Sequence, residues 1–221
     1  MSEEYNVSEL VSRLGKLYSA VVADCLDEVG IRDKVMSHRV RPIYPGATVV
    51  GHAMTVLSSP VSHRPKAPYL GELLAVDDLE PGQVMVVTTN GTEGCPYWGE
   101  LLSTAARARG AVGAVIDGFT RDVRLIERMR FPVFATGIHP ADSKGRLEVI
   151  CHNVPIRCCG VIVNPGDLIL GDVDGVVVVP LEAASRVLDL AEQKATGENV
   201  VRAELAKGRS VVEIYNEYGI M

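Results

Sequence analysis

The sequence predicts a mixed α/β fold, and three features of the chain support this prediction. Strand-like and helix-like segments alternate quickly between Val84 and Thr136, which is the rhythm of βαβ units. Strands and turns, without a helix, fill the region from Gly145 to Pro180. Apolar residues then recur at helical spacing in the tail. We therefore expect one domain spanning residues 1–221, in which residues 181–221 form a helical arm.

Composition and charge narrow the class of protein. The chain has 221 residues, enough to bury a full core, and is 47% hydrophobic and 23% charged. A net charge of -6 argues against general nucleic-acid binding, which needs basic side chains to neutralise phosphates. The acidic opening MSEEYNVSEL does not resemble a secretory signal, and the longest aliphatic run is Val176 to Val179. We therefore expect a cytoplasmic protein with no membrane partner.

The first third of the chain predicts two short helices followed by strands. Apolar spacing indicates a helix over residues 8–17, and Ser19 can cap a second helix that stops at Gly30. The branched residues on either side of Gly51 predict two strands or one bent strand. The basic segment from Ser58 to Pro68 predicts a loop, which either is exposed and solubilising or covers an anion site.

The remaining elements follow from apolar runs and their turn residues. The predicted helices are Leu70–Leu79, Glu100–Arg109, Asp122–Arg130, about Leu181–Lys194, Glu198–Lys207 and a last one after Ser210. The predicted central strands are Val84–Thr88, Val112–Ile116 and Pro132–Thr136.

The five cysteines predict free thiols. An odd count without a secretory signal makes a disulfide framework unfavourable. Cys158 and Cys159 are adjacent, so in a regular strand their side chains would point to opposite faces. We therefore interpret the CHNVPIRCC run as buried thiols and not as a zinc site.

The dipeptide Arg121-Asp122 follows a predicted strand closely. Taken alone, Asp122 could be a helix N-cap and Arg121 an ordinary surface charge. However, the turn from Gly94 to Gly99 leads into a helix whose first N–H groups lack internal partners and favour an anion. Arginine suits a carboxylate, and carboxylates suit a hard cation. Together these groups indicate a pocket for a small keto acid with a divalent metal.

Several motifs together resemble one known family. They are WGELLSTAARARGAVGAVIDGFTRD, FPVFATG, AVVADCLDEVG, PGATVVGHAMTV and NPGDLILGDVDGVVVVP. The chain resembles, from about Ser19 to Gly208, the family that contains 4-hydroxy-4-methyl-2-oxoglutarate/4-carboxy-4-hydroxy-2-oxoadipate aldolase and the regulator of ribonuclease activity A. This resemblance implies a three-layer β/β/α swivelling-domain (phosphohistidine-domain-like) fold, in a homotrimer or a hexamer with active sites between subunits.

The resemblance also implies roles for individual residues. Asp122 would hold Mg²⁺ or Mn²⁺, and Arg121 would bind the keto oxygen of the substrate and stabilise the enolate. The backbone amides of the turn formed by Gly99, Glu100, Leu101 and Leu102 would hold the carboxylate of a pyruvate unit.

Two positions depart from the pattern of the aldolases, and a third matches it. Glu100 stands where they carry an Asp, twenty residues before the arginine position, and Asp24 stands where they carry a Glu. Glu198 matches a Glu that reaches the active site of a neighbouring subunit. Glu100 and Glu198 would orient the water that exchanges protons with the substrate.

The expected activity is that of a divalent-metal-dependent, class II aldolase. It would cleave a 4-hydroxy-2-oxo acid to pyruvate and would decarboxylate oxaloacetate as a side reaction, since both reactions need the same enolate. The competing hypothesis is a non-catalytic regulator that binds ribonuclease E or another protein. Retention of a carboxylate at Glu100 favours the enzyme.

Overall fold

The computed structural model describes residues 6–62, 65–91 and 95–220. Seven α-helices, one short 3-10 helix at Leu181–Ala183 and eleven strands are assigned within these ranges. The helices are α1 Val7–Leu14, α2 Ser19–Glu28, α3 Leu70–Asp77, α4 Glu100–Ala108, α5 Val123–Met129, α6 Ala184–Ala206 and α7 Val211–Tyr218. The strands are β1 Arg41–Pro42, β2 Val49–Pro60, β3 Gln83–Thr88, β4 Pro96–Trp98, β5 Gly113–Thr120, β6 Val133–Ile138, β7 Leu147–His152, β8 Ile156–Cys158, β9 Val161–Val163, β10 Leu168–Gly171 and β11 Val176–Val179.

The main sheet is organised around four parallel strands in the order β6-β5-β3-β2. Short β4 also pairs with β5 in parallel. The strands β1, β7, β10 and β11 extend this sheet in antiparallel pairings, and β8 and β9 form a separate hairpin. The predicted βαβ rhythm is therefore confirmed between β3 and β6, where each crossover carries one helix.

Alternating side chains of β3 divide the core into two layers. Met85 and Val87 pack with Ala75 and Val76 of α3 and with residues of α4 and α5. Val84 and Val86 point the other way and pack against the β8–β9 hairpin and against β10 and β11. Because side chains of a strand alternate between faces, one buried strand supplies both interfaces. The predicted three-layer β/β/α arrangement is confirmed.

A third apolar cluster joins the two ends of the chain. Leu168 and Leu170 of β10 face a set of helical residues from α1, α2 and α6, including Leu14, Leu26 and Leu188. Helices α1, α2 and α6 therefore cover the outer face of β10 and β11. The predicted helical C-terminal arm packs here through α6.

Several element boundaries differ from the predictions. The strands predicted around Gly51 are one long strand, β2, which includes Ser58–Pro60 of the predicted loop. Ser19 begins α2 without capping it, since its hydroxyl and its N–H both donate to Asp172. The two predicted tail helices are the single helix α6, which contains Gly197. Ile220 packs closely against this glycine.

The last helix begins where it was predicted, with Ser210 accepting from the Glu213 N–H as an N-cap.

The cysteines of the described chain are free, and Cys25, Cys95, Cys158 and Cys159 are buried. Within the described ranges, no helix is long and apolar enough to cross a lipid bilayer.

Candidate active site

The Gly99 turn and the Arg121-Asp122 pair lie side by side because β4 and β5 are neighbours. β5 runs to Thr120, beyond its predicted end at Ile116, so Arg121 follows the strand directly. The Arg121 N–H donates to the Trp98 carbonyl at 3.0 Å, and the Thr120 hydroxyl donates to the same oxygen at 3.1 Å. These bonds fix the end of β5 against the start of α4.

The Asp122 carboxylate caps helix α4 and not its own helix. Asp122 occupies the N-cap position of α5 in a left-handed conformation with φ 60°, and its side chain makes no capping bond there. Instead, Asp122 Oδ2 accepts the Glu100 N–H at 3.2 Å. Left-handed backbone is unfavourable for a residue with a side chain, so the surrounding contacts hold this carboxylate in place.

Gly99 allows these groups to approach one another. A Cβ atom at this position would lie 2.8 Å from Asp122 Oδ2 and 3.4 Å from Arg121 Nε. A larger residue would therefore displace the carboxylate or the guanidinium. The hydroxyl of Ser103 reinforces the turn, because it donates to the Gly99 carbonyl and accepts from the Trp98 indole.

The half-buried Arg121 guanidinium is held by a carbonyl and two carboxylates. Its Nη1 donates to the Ala141 carbonyl at 3.2 Å and lies 3.5 Å from Asp142 Oδ2, while its Nε lies 3.6 Å from Asp122 Oδ2. The guanidinium thus lies between two acidic groups. This arrangement fixes a positive charge beside the start of helix α4.

A cavity of about 290 Å³ opens at this point. Its lining comes from α3, β4, the start of α4, the end of β5 and the loop before β7. The lining residues are Tyr69, Glu72, Leu73, Pro96, Tyr97, Trp98, Gly99, Leu101, Leu102, Arg121, Asp122, Asp142 and Ser143. This size suits a small organic acid better than a polymer.

Five polar residues of this lining are absent from the predicted site, namely Tyr69, Glu72, Tyr97, Asp142 and Ser143. The Tyr69 hydroxyl donates to Asp142 Oδ2 at 2.7 Å. Burial by itself would raise the pKa of the Asp142 carboxyl. The hydrogen bonds from the Tyr69 hydroxyl and the Lys144 N–H, together with the charge of Arg121, outweigh this effect, so the pKa is lowered. Tyr97 is buried, and its hydroxyl has no hydrogen-bond partner within the described part of the chain.

Glu72 is the most unusual of these five residues. It is only 5% exposed, and burial raises the pKa of its carboxyl from 4.5 to about 7, with the Asp142 charge adding to the effect. A hydrogen bond from Ser143 and the Arg121 charge oppose the rise. The sequence does contain a signal for the burial of Glu72, because this residue shares a helical face with the apolar Ala75 and Val76.

The other predicted groups of the α4 turn are placed differently. The Glu100 side chain does not line the cavity, and its Oε1 accepts from the Thr104 hydroxyl at 2.8 Å. Leu101 and Leu102 both line the cavity, and Leu101 is 76% exposed. Gly99, Leu101 and Leu102 of the turn thus line the cavity, while Glu100 does not.

Asp24 and Glu198 both lie near Cys25, away from the cavity. Asp24 of α2 accepts from Lys194 Nζ at 2.7 Å, and Glu198 of α6 accepts from the Tyr18 hydroxyl. Burial raises the pKa of the nearby Cys25 thiol, and the charges of Glu28, Asp24 and Glu198 raise it further against Lys194. Neither carboxylate lines the cavity of its own chain.

Part of the predicted basic loop lies outside the described residues, namely His63 and Arg64. Lys66 lies on a different hollow, beside Glu148 and Leu70.

The chain is similar to proteins with and without an assigned reaction. It is 29% identical to "Putative 4-hydroxy-4-methyl-2-oxoglutarate aldolase" of Halalkalibacterium halodurans, covering 95% of this chain and 94% of that protein. It is also 29% identical to Protein DlpA of Legionella pneumophila, but this match covers 98% of the chain and only 35% of DlpA.

A solved structure and a family model extend these likenesses. RraAS2 of Streptomyces coelicolor, described as an unusual member of the RNase ES inhibitor RraA protein family, superimposes with a TM-score of 0.78. The two are 30% identical, with coverage of 90% of this chain and 98% of that one. The family model described as RraA-like, Aldolase/RraA, matches residues 19–178, well over half of the chain. The chain therefore belongs to the RraA-like family.

Proposed function

We propose that this protein is a divalent-metal-dependent lyase that cleaves a 4-hydroxy-2-oxo acid to pyruvate and decarboxylates oxaloacetate as a side reaction. The observation that carries this proposal is the meeting of Arg121, Asp122 and the start of helix α4 at one small cavity. The family contains proteins named as aldolases, which supports the reaction class.

The donor set fits Mg²⁺ or Mn²⁺. Asp122 offers a hard carboxylate oxygen at the cavity, and its side chain is 39% exposed, which leaves room for water. Mg²⁺ commonly binds through one or two carboxylates while keeping several waters. Asp122 would therefore hold the ion, which when bound would supply a Lewis acid for the keto group.

The residues of this chain would orient the substrate from two sides. The first N–H groups of a helix lack internal partners, and in α4 the Glu100 N–H is taken by Asp122. The amides of Leu101 and Leu102 would therefore bind the carboxylate of a pyruvate unit, aided by the helix dipole. Arg121 would place its fixed positive charge at the keto oxygen, where negative charge develops as the enolate forms.

A wall of mixed character would contact the far end of the substrate. Leu73 and Trp98 provide apolar surface, while Tyr69 and Asp142 provide polar groups. Proton transfer would use a water oriented by Glu100 and by Glu198 of a neighbouring subunit. Because Glu100 contacts Thr104 in the isolated chain, its side chain would have to change rotamer for this role.

The reaction class is tested by measuring oxaloacetate decarboxylation with Mg²⁺ or Mn²⁺. We expect EDTA to lower the rate at least about tenfold, and we expect Asp122→Asn to require far more metal because it loses the anionic ligand. Restoring Mg²⁺ after EDTA serves as the control. A rate that changes neither with EDTA nor with the Asp122→Asn substitution would exclude the proposal.

A regulatory role remains the second candidate, and the likeness to RraAS2 favours it. A regulator would bind an RNA-degrading enzyme in a pull-down and would keep that binding in Asp122→Asn. Loss of metal-dependent turnover together with such binding would favour this candidate over the lyase.

We also propose that the active site lies between subunits of a homotrimer or hexamer. Leu73 and Leu101 are each more than half exposed at the cavity, which is typical of a surface that a partner covers. Asp24 and Glu198 lie away from the cavity of their own chain, so they would serve the cavity of a neighbour.

Mixing two inactive variants tests this shared site. We expect Arg121→Ala and Glu198→Ala each to lose activity, and we expect a refolded mixture to exceed the sum of the two parents. Hybrid oligomers would contain some sites with both native residues. A mixture of Arg121→Ala with Asp122→Asn is the matched control, since both changes lie on the same side of the site. Equal activities in the two mixtures would contradict a site shared in this way.

A further inference from the structure

A second group of metal-ligand side chains lies on the opposite layer of the molecule. Asp117 of β5 meets Cys158 and Cys159 at the β8–β9 hairpin, and one ligand atom from each lies within 4.8 Å of the other two. Cys158 is fully buried and Cys159 is 6% exposed. The premise that the two adjacent thiols point to opposite faces was therefore wrong.

The turn of the hairpin explains why the thiols converge. Cys158 pairs with Val161, which leaves Cys159 and Gly160 as a two-residue connection. Both connecting residues have positive φ, 49° and 89°, as a tight hairpin turn of this length requires. Alternation of side chains holds only in extended backbone, so Cys159 turns back toward Cys158.

The carboxylate of Asp117 is held at the turn by the backbone. The Cys159 N–H donates to Asp117 Oδ2 at 2.7 Å. The Asp117 carbonyl accepts from the Thr89 N–H at 3.1 Å, which ties β5 to the end of β3. The carboxylate and the two sulfurs are thus presented by two separate elements of the fold.

We propose that Asp117, Cys158 and Cys159 bind Zn²⁺ or a similar thiophilic divalent cation. Two sulfurs and one carboxylate oxygen are accepted zinc ligands, at about 2.3 Å and 2.0–2.2 Å from the ion. Closing the three atoms around one ion needs side-chain movements on the order of 1 Å. The site at Asp117 offers two sulfur ligands, whereas the site at Asp122 offers only oxygen. The two sites would therefore select different metals.

A hollow beside Asp117 and Cys159 leaves space for a further ligand from solvent. It has a volume of about 230 Å³ and is lined by Asp117 and Cys159 together with Ser37, Arg39, Gly118 and Thr136, among others. Three protein ligands with space for a fourth from solvent is the pattern of an open zinc site. A water molecule would therefore complete the coordination.

Cobalt provides a direct test, because thiolate ligation gives Co²⁺ an intense near-ultraviolet charge-transfer absorption that oxygen ligands do not give. The full chain is reduced with a phosphine, stripped of metal and titrated with Co²⁺, and Zn²⁺ affinity is measured by competition with a chromophoric chelator. We expect one ion per chain with this absorption, and a rise in Tm when Zn²⁺ binds.

Variants separate this site from other binding. Cys159→Ser should lose at least half of the absorption, because one of the two sulfur ligands is gone, and Asp117→Asn should weaken Zn²⁺ binding at least about tenfold while retaining the native circular dichroism. Cys25→Ser, at another buried thiol, and Asp122→Asn, at the oxygen site, should keep both properties. Absence of the absorption in the wild-type chain, or equal affinity in Cys159→Ser, would overturn the proposal.

Discussion

Replacing Arg121 with alanine is expected to lower metal-dependent oxaloacetate decarboxylation by about 10²- to 10³-fold, the usual cost of removing one preorganised donor from a developing oxyanion. The guanidinium is already held in place by the Ala141 carbonyl and by the carboxylates of Asp122 and Asp142. Its charge is therefore in place before substrate binds. The loss should appear in kcat more than in KM, because the enolate carries more charge than the ground state.

The Arg121→Lys variant separates charge from geometry. Lysine keeps the positive charge but cannot contact two acceptors in a fixed plane, so we expect it to recover only part of the lost rate. Arg124→Ala is the matched control, since Arg124 is an exposed arginine in the first turn of α5, the helix that follows Arg121 and Asp122. Full activity in Arg121→Ala at saturating metal would contradict the role proposed for this side chain.

The local arrangement at this cavity was accessible from the sequence. Gly99 follows one short segment and Arg121 follows a strand, and both signals come from a few neighbouring residues. The structure brings them together because β4 and β5 pair in parallel and therefore end at the same edge. Their catalytic roles stay predictions until the variants are measured.

Long-range contacts limited the rest of the prediction. The sequence predicted two helices on either side of Gly197, yet α6 is continuous through this residue. Ile220 packs against Gly197 so closely that a Cβ there would lie 2.4 Å from Ile220 Cδ1. A contact between residues of separate segments leaves no periodic signal. The convergence of Cys158 and Cys159 also depends on a turn that strand periodicity does not reveal.

Glu72 is a related case at the candidate site. Its acidic character is plain from the sequence, but its burial depends on how α3 packs against the main sheet and the loop before β7. The pKa of about 7 follows from that burial, with Arg121, Asp142 and Ser143 facing the carboxyl and Cys95 and Tyr97 close by. The consequence is a stability that depends on pH.

Glu72→Gln is expected to stabilise the protein increasingly as the pH rises from 5 to 8. The pKa of Glu72 is higher in the folded chain than its ordinary 4.5, so the folded state holds a proton that the unfolded state has lost. The wild-type free energy of unfolding should therefore decline as the pH rises between these two values and level off above about 7. At about 1.4 kcal/mol per pKa unit, the total cost of ionised Glu72 is on the order of 3 kcal/mol.

The difference between wild type and Glu72→Gln isolates this cost, because every other titrating group is common to both chains. Urea unfolding at pH 5 and at pH 8 should show the glutamine variant gaining about 2–3 kcal/mol relative to wild type between these values. Glu127→Gln, an exposed change on helix α5, should show no such gain. If Glu72→Gln and wild type keep a constant difference across this range, Glu72 ionises at its ordinary pKa and water must reach it. The cavity wall would then be open at α3, and Glu72 would face the substrate as a charged group.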